Sequence, residues 1–275
     1  MHESQLTDPL LLDGATVPDR HHVLVGGGES VAYCAPTPDG NSENQDAAAV
    51  IPYGPQAAVF VVADGAGGLP AGRLASQTAV QALIAQLESA SEKTIMLRTA
   101  ILDGIEAANA AVLGLANGSA TTFTVITIEG LTARAYQVGD SEAIIVGQRG
   151  VIRLQTLSHS PTGHAVEAGF LDQREALHHH DRHLVSNFLG STNMRIDMGA
   201  EIGLRPRDTV ILASDGLMDN VHTAEVIERA RKGPLPKAAD AIIALARRRM
   251  NGTAVEQPSK PDDLSLILFR KPRRP

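Results

Sequence analysis

AVFVVADGAGGLPAG, residues 58–72, is the stretch on which the reading of this chain turns. Residues 59–63 are apolar without a break, the pattern of a strand buried on both faces. Asp64 follows, and then a glycine-rich loop in which the backbone can turn sharply. A rigid strand therefore delivers a carboxylate to a place that backbone can approach closely. Burying that aspartate unpaired would be costly, so two readings remain: a solvated turn, or a site where a cation compensates its charge. From this stretch alone the turn reading is preferred.

Working outward, residues 36–46, PTPDGNSENQD, form a turn-rich run ending in Asp46, which opens a short apolar strand over 47–51. Two neighbouring strands thus each carry a carboxylate. Upstream, residues 23–35 read as two short strands interrupted by glycines, and residues 1–22 as a loose polar arm. Downstream, residues 73–89 and 93–116 carry apolar positions at helical spacing, a helix pair that can cover a sheet, with Asn117-Gly118 as a stop. The period then changes to that of strands. Residues 121–128, 131–138, 143–147 and 151–154 are joined by tight turns and read as an antiparallel meander. Residues 156–196 mix His, Gly and Asp with short apolar pieces and read as an irregular flap, with a weak helical segment near 166–177. A buried strand at 209–213 runs into Ser214-Asp215-Gly216; helices at 224–231 and 235–250 and a last strand at 264–269 complete the chain. Strands, a helix pair, more strands, then helices and a final strand indicate an antiparallel α+β fold, two sheets packed together with helices outside. One domain over 23–270 is expected, with a basic tail at 271–275.

Composition narrows the function. The 275 residues are 43% hydrophobic and 20% charged, ordinary for a globular chain, with a net charge of -7. Aromatics are 3% with no Trp, which together with the acidic balance argues against nucleic acid as a partner. Cys34 is the single cysteine, which rules out an intrachain disulfide and a thiolate zinc site and suits a reducing cytoplasm. The N-terminus lacks the pattern of a signal peptide, and no apolar run approaches the roughly 18 residues of a membrane span. A cytoplasmic, monomeric protein away from membranes is expected.

Asp46, Asp64, Asp215 and Asp263 each sit at a strand end beside a small residue, and Asp140 lies between two strands in Gly139-Asp140-Ser141. Singly, each is better read as a turn former. Gathered at one edge of a sandwich they would repel one another unless divalent cations were bound, and an all-oxygen donor set selects Mg²⁺ or Mn²⁺. Gly65 would let a backbone carbonyl approach the same ion.

Taken in order, Glu43-Asn44-Gln45-Asp46, Asp64-Gly65-Ala66-Gly67-Gly68, Ala120-Thr121-Thr122, Gly139-Asp140-Ser141, Ser214-Asp215-Gly216-Leu217-Met218-Asp219-Asn220 and Asp262-Asp263-Leu264-Ser265 resemble the metal-dependent Ser/Thr protein phosphatases of the 2C type, as found in bacteria. The resemblance spans about residues 25 to 270. It implies a four-layer α-β-β-α sandwich with a dinuclear metal site at one edge. It further implies that Asp64 bridges two ions, that Gly65 ligates one through its carbonyl, and that Asp215 and Asp263 complete the pair. Asp46 would act mainly through bound waters, Asp140 at a third, weaker metal site, and Asp219 through metal waters or as a helix cap. Asp64 and Asp215 are then the catalytic residues. The implied reaction is hydrolysis of phosphoserine or phosphothreonine by a metal-activated water, in signalling, on a protein such as the target of a Ser/Thr kinase.

Three positions depart from the family pattern. Asn41 stands where the phosphate-gripping Arg is common, and Arg73 is the candidate substitute, although a plain helix-end Arg is the better reading. Ala66 stands where eukaryotic members have His, and Glu142 where an Arg usually follows GDS. Asn41 and Glu142 motivate a second reading, a phosphoprotein-binding pseudophosphatase without turnover; a small-molecule phosphatase is a third. The contiguous His178, His179 and His180, with His183, are read as ordinary surface histidines, because neighbours in sequence cannot all face one ion. His159, within Ser158-His159-Ser160, is read as structural. A Ser141/Asp140/His triad is set aside for want of a GxSxG elbow.

Overall fold

The structure is a computed structural model. It describes residues 4–14, 16–38, 43–66, 70–92, 95–177, 179–182, 184–252 and 257–272. The chain begins with β1 (Ser4–Gln5), β2 (Leu10–Leu12), β3 (Asp19–Val25), β4 (Gly28–Ala35), β5 (Asp46–Pro52) and β6 (Ala57–Ala66), followed by the helices α1 (Pro70–Glu92) and α2 (Leu97–Gly114). Next come β7 (Ala120–Thr121), β8 (Phe123–Glu129), β9 (Thr132–Val138), β10 (Glu142–Val146) and β11 (Ile152–Gln155), then the short α3 (Pro161–Glu167) and α4 (Gln173–Ala176). The last part holds β12 (Asp197–Met198), β13 (Ile202–Gly203), β14 (Thr209–Ala213), α5 (Asp215–Met218), α6 (Thr223–Ala230), α7 (Leu235–Met250) and β15 (Leu264–Arg270).

These strands make two sheets. One runs β1-β3-β4-β15-β14-β10-β11; the other runs β12-β9-β8-β6-β5-β2, with β13 on β9 and β7 on β6. All pairings are antiparallel except β1 with β3. Three apolar clusters separate four layers. Between the sheets lie Phe60, Val62, Ile126, Ile145, Leu212, Ile267 and Phe269. The β5/β6 sheet packs its other face on α1 and α2 through Val59, Val61, Leu83 and Ile105. The β14/β15 sheet packs on α5, α6 and α7 through Ile211, Leu266, Leu217, Val226 and Ile242.

The unbroken apolar run of β6 follows from this. Side chains alternate along a strand, so Ala58, Phe60 and Val62 enter the space between the sheets while Val59, Val61 and Ala63 face the helices. Both faces are dry, and neither tolerates a polar residue until the strand leaves the sandwich. By the same alternation Asp64 on β6 continues the inward face. On β5, Ala48 and Val50 point inward, so Asp46 does too. The register sets Asp46 directly opposite Asp64.

Two expectations need correction. Residues 1–22 are not a loose arm over their described part: Leu10–Leu12 pair with β5, Asp19 onward pairs with β4, and Leu12 is fully buried. The apolar triplet Leu10–Leu12 supplies the surface that closes that edge of the sandwich. The four central strands are also not one meander. β8 and β9 belong to one sheet and β10 and β11 to the other, and the chain crosses at Gly139, whose φ of 105° is a conformation glycine adopts freely. At the C-terminus Lys271 is buried against the fold, and residues 273–275 of the expected tail lie outside the described residues.

Candidate metal centre

The crossover and the strand ends meet at one edge of the sandwich. Asp46 is buried; its Oδ2 accepts a hydrogen bond from Ser214 Oγ at 2.8 Å, while Oδ1 is buried without a hydrogen bond among the described residues. Asp64 is held by its backbone, which donates to Thr122 Oγ1 (2.9 Å) and accepts from Thr122 N (2.8 Å) and Thr121 Oγ1 (2.9 Å). Gly65 bonds through its N–H to Gln45 O at 3.2 Å, and a methyl group on it would collide with the Gly72 carbonyl. A side chain at 65 would force the first turn of α1 away. Gly67 and Gly68 lie outside the described residues.

Asp140 is buried directly after the crossover, where the Gly139 N–H donates to His159 Nδ1 at 3.1 Å. His159 is itself buried, within 3.0 Å of Asp197 Oδ2, and it ties the flap to the crossover turn. Asp215 is the first residue of α5, and Asp219 follows that helix directly. Neighbouring Gly216 packs so tightly on the Asp263 carbonyl that no Cβ fits.

Asp262 and Asp263 behave differently from the expectation. Asp263 accepts from Thr37 N at Oδ1 (2.8 Å) and from Gln45 N at Oδ2 (2.7 Å), so it ties Thr37 and Gln45 together ahead of β5. Asp262 reaches the shared cation instead: Lys260 Nζ stands 2.9 Å from Asp262 Oδ2, 2.5 Å from Asp215 Oδ2 and 3.0 Å from Asp219 Oδ2. Adjacent aspartates look alike in a sequence, but strand phase separates them. Asp263 is in step with Ser265 and the inward-facing Ile267 and Phe269, and Asp262 is not. Lys260 was missed altogether; its only signal is a lysine close in sequence to a carboxylate pair.

Electrostatics mark the same group of residues. Burial first, then Asp263, pushes the Asp46 carboxyl well above its ordinary range. Burial and then Asp215 do the same to Asp64 and to Asp140, and Asp46, Asp262 and Asp140 add to the effect on Asp64. Asp219 rises to about 6 and Asp262 to about 7, each through burial and then the charge of Asp215. Carboxylates that raise one another in this way are stabilised by added positive charge. The unpaired buried oxygen of Asp46 and the all-oxygen donor set both fit a hard divalent cation.

A groove of about 800 Å³ opens beside the cluster, lined by Asp140, Glu142, Asp215 and Asp219, by Thr162 of the flap and by Arg182. Arg182 Nε lies 3.9 Å from Asp219 Oδ2. Burial raises Glu142 to about 7, and its Oε2 accepts from Gln155 Nε2 at 2.9 Å. Arg73 is engaged elsewhere, with Glu43 (3.1 Å) and Asp13 (3.4 Å), and Asn41 lies outside the described residues. His179 and His180 stack at 4.5 Å between ring centroids and both pair with Asp181; His178 and His183 lie outside the described residues.

A family model described as protein phosphatase 2C matches residues 39–248. The chain is 28% identical over 217 residues to the serine/threonine phosphatase stp of Listeria innocua serovar 6a, a match covering 74% of this chain and 84% of that protein. The structure of the S. agalactiae serine/threonine phosphatase superposes with a TM-score of 0.73 at 25% identity, covering 88% of this chain and 99% of that one. The catalytic domain of the serine threonine protein phosphatase PstP in complex with two manganese ions shares the fold, with a TM-score of 0.67 at 21% identity over 95% of this chain and 97% of that one.

Proposed function

The chain belongs to the protein phosphatase 2C family, and from that premise we propose that it is a metal-dependent Ser/Thr phosphatase hydrolysing phosphoserine and phosphothreonine in proteins. The observation that carries this reading is the gathering of Asp46, Asp64, Asp140, Asp215, Asp219 and Asp262 around one sandwich edge beside an open groove. Asp46, Asp64, Asp215 and Asp262, with the Gly65 carbonyl, are the groups that would hold two Mg²⁺ or Mn²⁺ ions, and Asp140 would hold a weaker third. Asp262 replaces Asp263 in this set, because Asp262 shares the Lys260 ammonium with Asp215 while Asp263 binds the backbone amides of Thr37 and Gln45. When bound, the ions supply an acidified water as nucleophile and neutralise charge on the phosphoryl oxygens.

The protein's own groups do the positioning. Backbone bonds to Thr121 and Thr122 fix Asp64, and Ser214 orients Asp46, so the carboxylates need little reorganisation on binding. Arg182 is the cation in the groove placed to meet a substrate phosphate, a task for which a planar guanidinium is well suited. The groove is open and flanked by the flap, which suits a phosphorylated segment of another protein, such as the target of a Ser/Thr kinase. The single buried thiol, Cys34, suits work in a reducing cytoplasm. Binding without turnover is the less well supported reading, since every carboxylate named is present.

Phosphate release from a phosphothreonine peptide with Mn²⁺ tests the proposal. Asp64→Asn and Asp215→Asn should each lower the rate by about 10- to 100-fold, the range seen even when a group that only supports a metal ligand is lost. Full activity in both variants would overturn it.

A further inference from the structure

Lys260 is the one cation within 3.0 Å of the cluster's carboxylates among the described residues. Its ammonium has three N–H donors, and it meets three carboxylates, Asp215, Asp219 and Asp262, at 2.5, 3.0 and 2.9 Å. No donor is left over for a substrate phosphate. The backbone of Lys260 is clamped from both sides: its N–H donates to Asn220 Oδ1 at 2.7 Å, and its carbonyl accepts from Asn220 Nδ2 at 2.8 Å. Asn220 is fully buried and also donates to Gly216 O at 2.9 Å, so the clamp is built on α5 itself. Pro261 stiffens the chain on the other side. The side chain, by contrast, is partly exposed, at 22%. A lysine with a fixed backbone and a four-carbon stem can turn its ammonium out to water while nothing else moves.

We propose that Lys260 is a built-in counter-ion for the Asp215–Asp219–Asp262 side of the cluster, which a divalent cation binding there has to displace. The proposal rests on the metal-dependent reading above and adds that the occupancy of this side is set by competition with a residue of the chain itself. Two positive charges cannot share the same three carboxylate oxygens at contact distance. The affinity of this side is therefore lowered by the free energy of turning Lys260 out, while the side formed by Asp46 and Asp64 does not bear that cost. The cluster would then fill in two stages, the second at higher metal concentration.

Calorimetric Mn²⁺ titration of wild type and Lys260→Met, together with acylation of lysine amines in wild type read by mass spectrometry, tests this. The expected result is a weaker binding stage in wild type that tightens by about tenfold in Lys260→Met, the factor corresponding to about 1.4 kcal/mol. Labelling of Lys260 should also rise on adding Mn²⁺ while that of Lys237 stays constant. The labelling arm uses only the natural protein and decides the question even if Lys260→Met fails to fold. Equal Mn²⁺ affinities in the two proteins, or Lys260 labelling that is unchanged or reduced by Mn²⁺, would overturn the proposal and leave the phosphatase reading standing. Absence of Mn²⁺ binding in both proteins would overturn that reading itself.

Discussion

Asp46 and Asp64 face each other across a strand pair, an arrangement in which like charges directly opposite are destabilising. The sequence shows that Asp46 opens one apolar strand and Asp64 follows another; the repulsion emerges only once the register is known. The strand-end aspartates were legible because each interrupts or bounds an apolar run. The choice between Asp262 and Asp263 was not, because two adjacent carboxylates differ only in which side of the strand they take. That difference can be measured. Asp263→Asn puts an amide where two backbone N–H groups need acceptors and should cost about 1–3 kcal/mol of stability, with activity retained in the folded fraction. Asp262→Asn should leave the thermal melt in chelator little changed or raised, because it removes a mutually repelled carboxylate, and should abolish most phosphate release. Denaturation curves and assays on the two variants check the assignment; the opposite pattern would return the metal role to Asp263.

At the scale of elements, β6 and α7 were legible, β6 from its unbroken apolar run bounded by turns and α7 from its helical period. The helix expected over 235–250 is found at Leu235–Met250. The strand expected over 59–63 is found within Ala57–Ala66. What escaped was which sheet a strand joins. Short antiparallel strands joined by tight turns look the same whether they stay in one sheet or cross to another, and only the backbone at Gly139 records the crossing. The flap escaped for a different reason: the three-residue gap between β11 and His159 is followed by short helices tied by side-chain bonds such as Ser160 Oγ to the Gly163 N–H at 2.9 Å, which leave no periodic trace. The sandwich itself rests on contacts across its interior. Phe60 of β6 and Phe269 of β15 meet with ring centroids 5.1 Å apart, joining the two sheets. Phe60→Ala should lower unfolding free energy by about 3–5 kcal/mol in denaturant titration, and a loss below about 1 kcal/mol would contradict the packing described.

For the whole molecule, the position of the cluster follows from layering. The central strands β5 and β6 are dry on both faces and carry their charged groups where they leave the sandwich. β5, β6, α5 and the segment before β15 all reach that edge, along with the turn between β9 and β10. Residues from 46 to 262 thus converge on one point although no short motif contains more than two of the expected ligands. This convergence could be anticipated from the ordered set of strand-end aspartates, whereas the groove wall, with Arg182 contributed by an aperiodic segment, could not. The proposed chemistry requires this edge to hold divalent cations. Its most direct test is phosphate release from a phosphothreonine peptide by wild-type protein stripped with chelator and then titrated with Mn²⁺. The predicted result is no release after stripping and a saturable return of activity as Mn²⁺ is added; release that continues undiminished in chelator would contradict it.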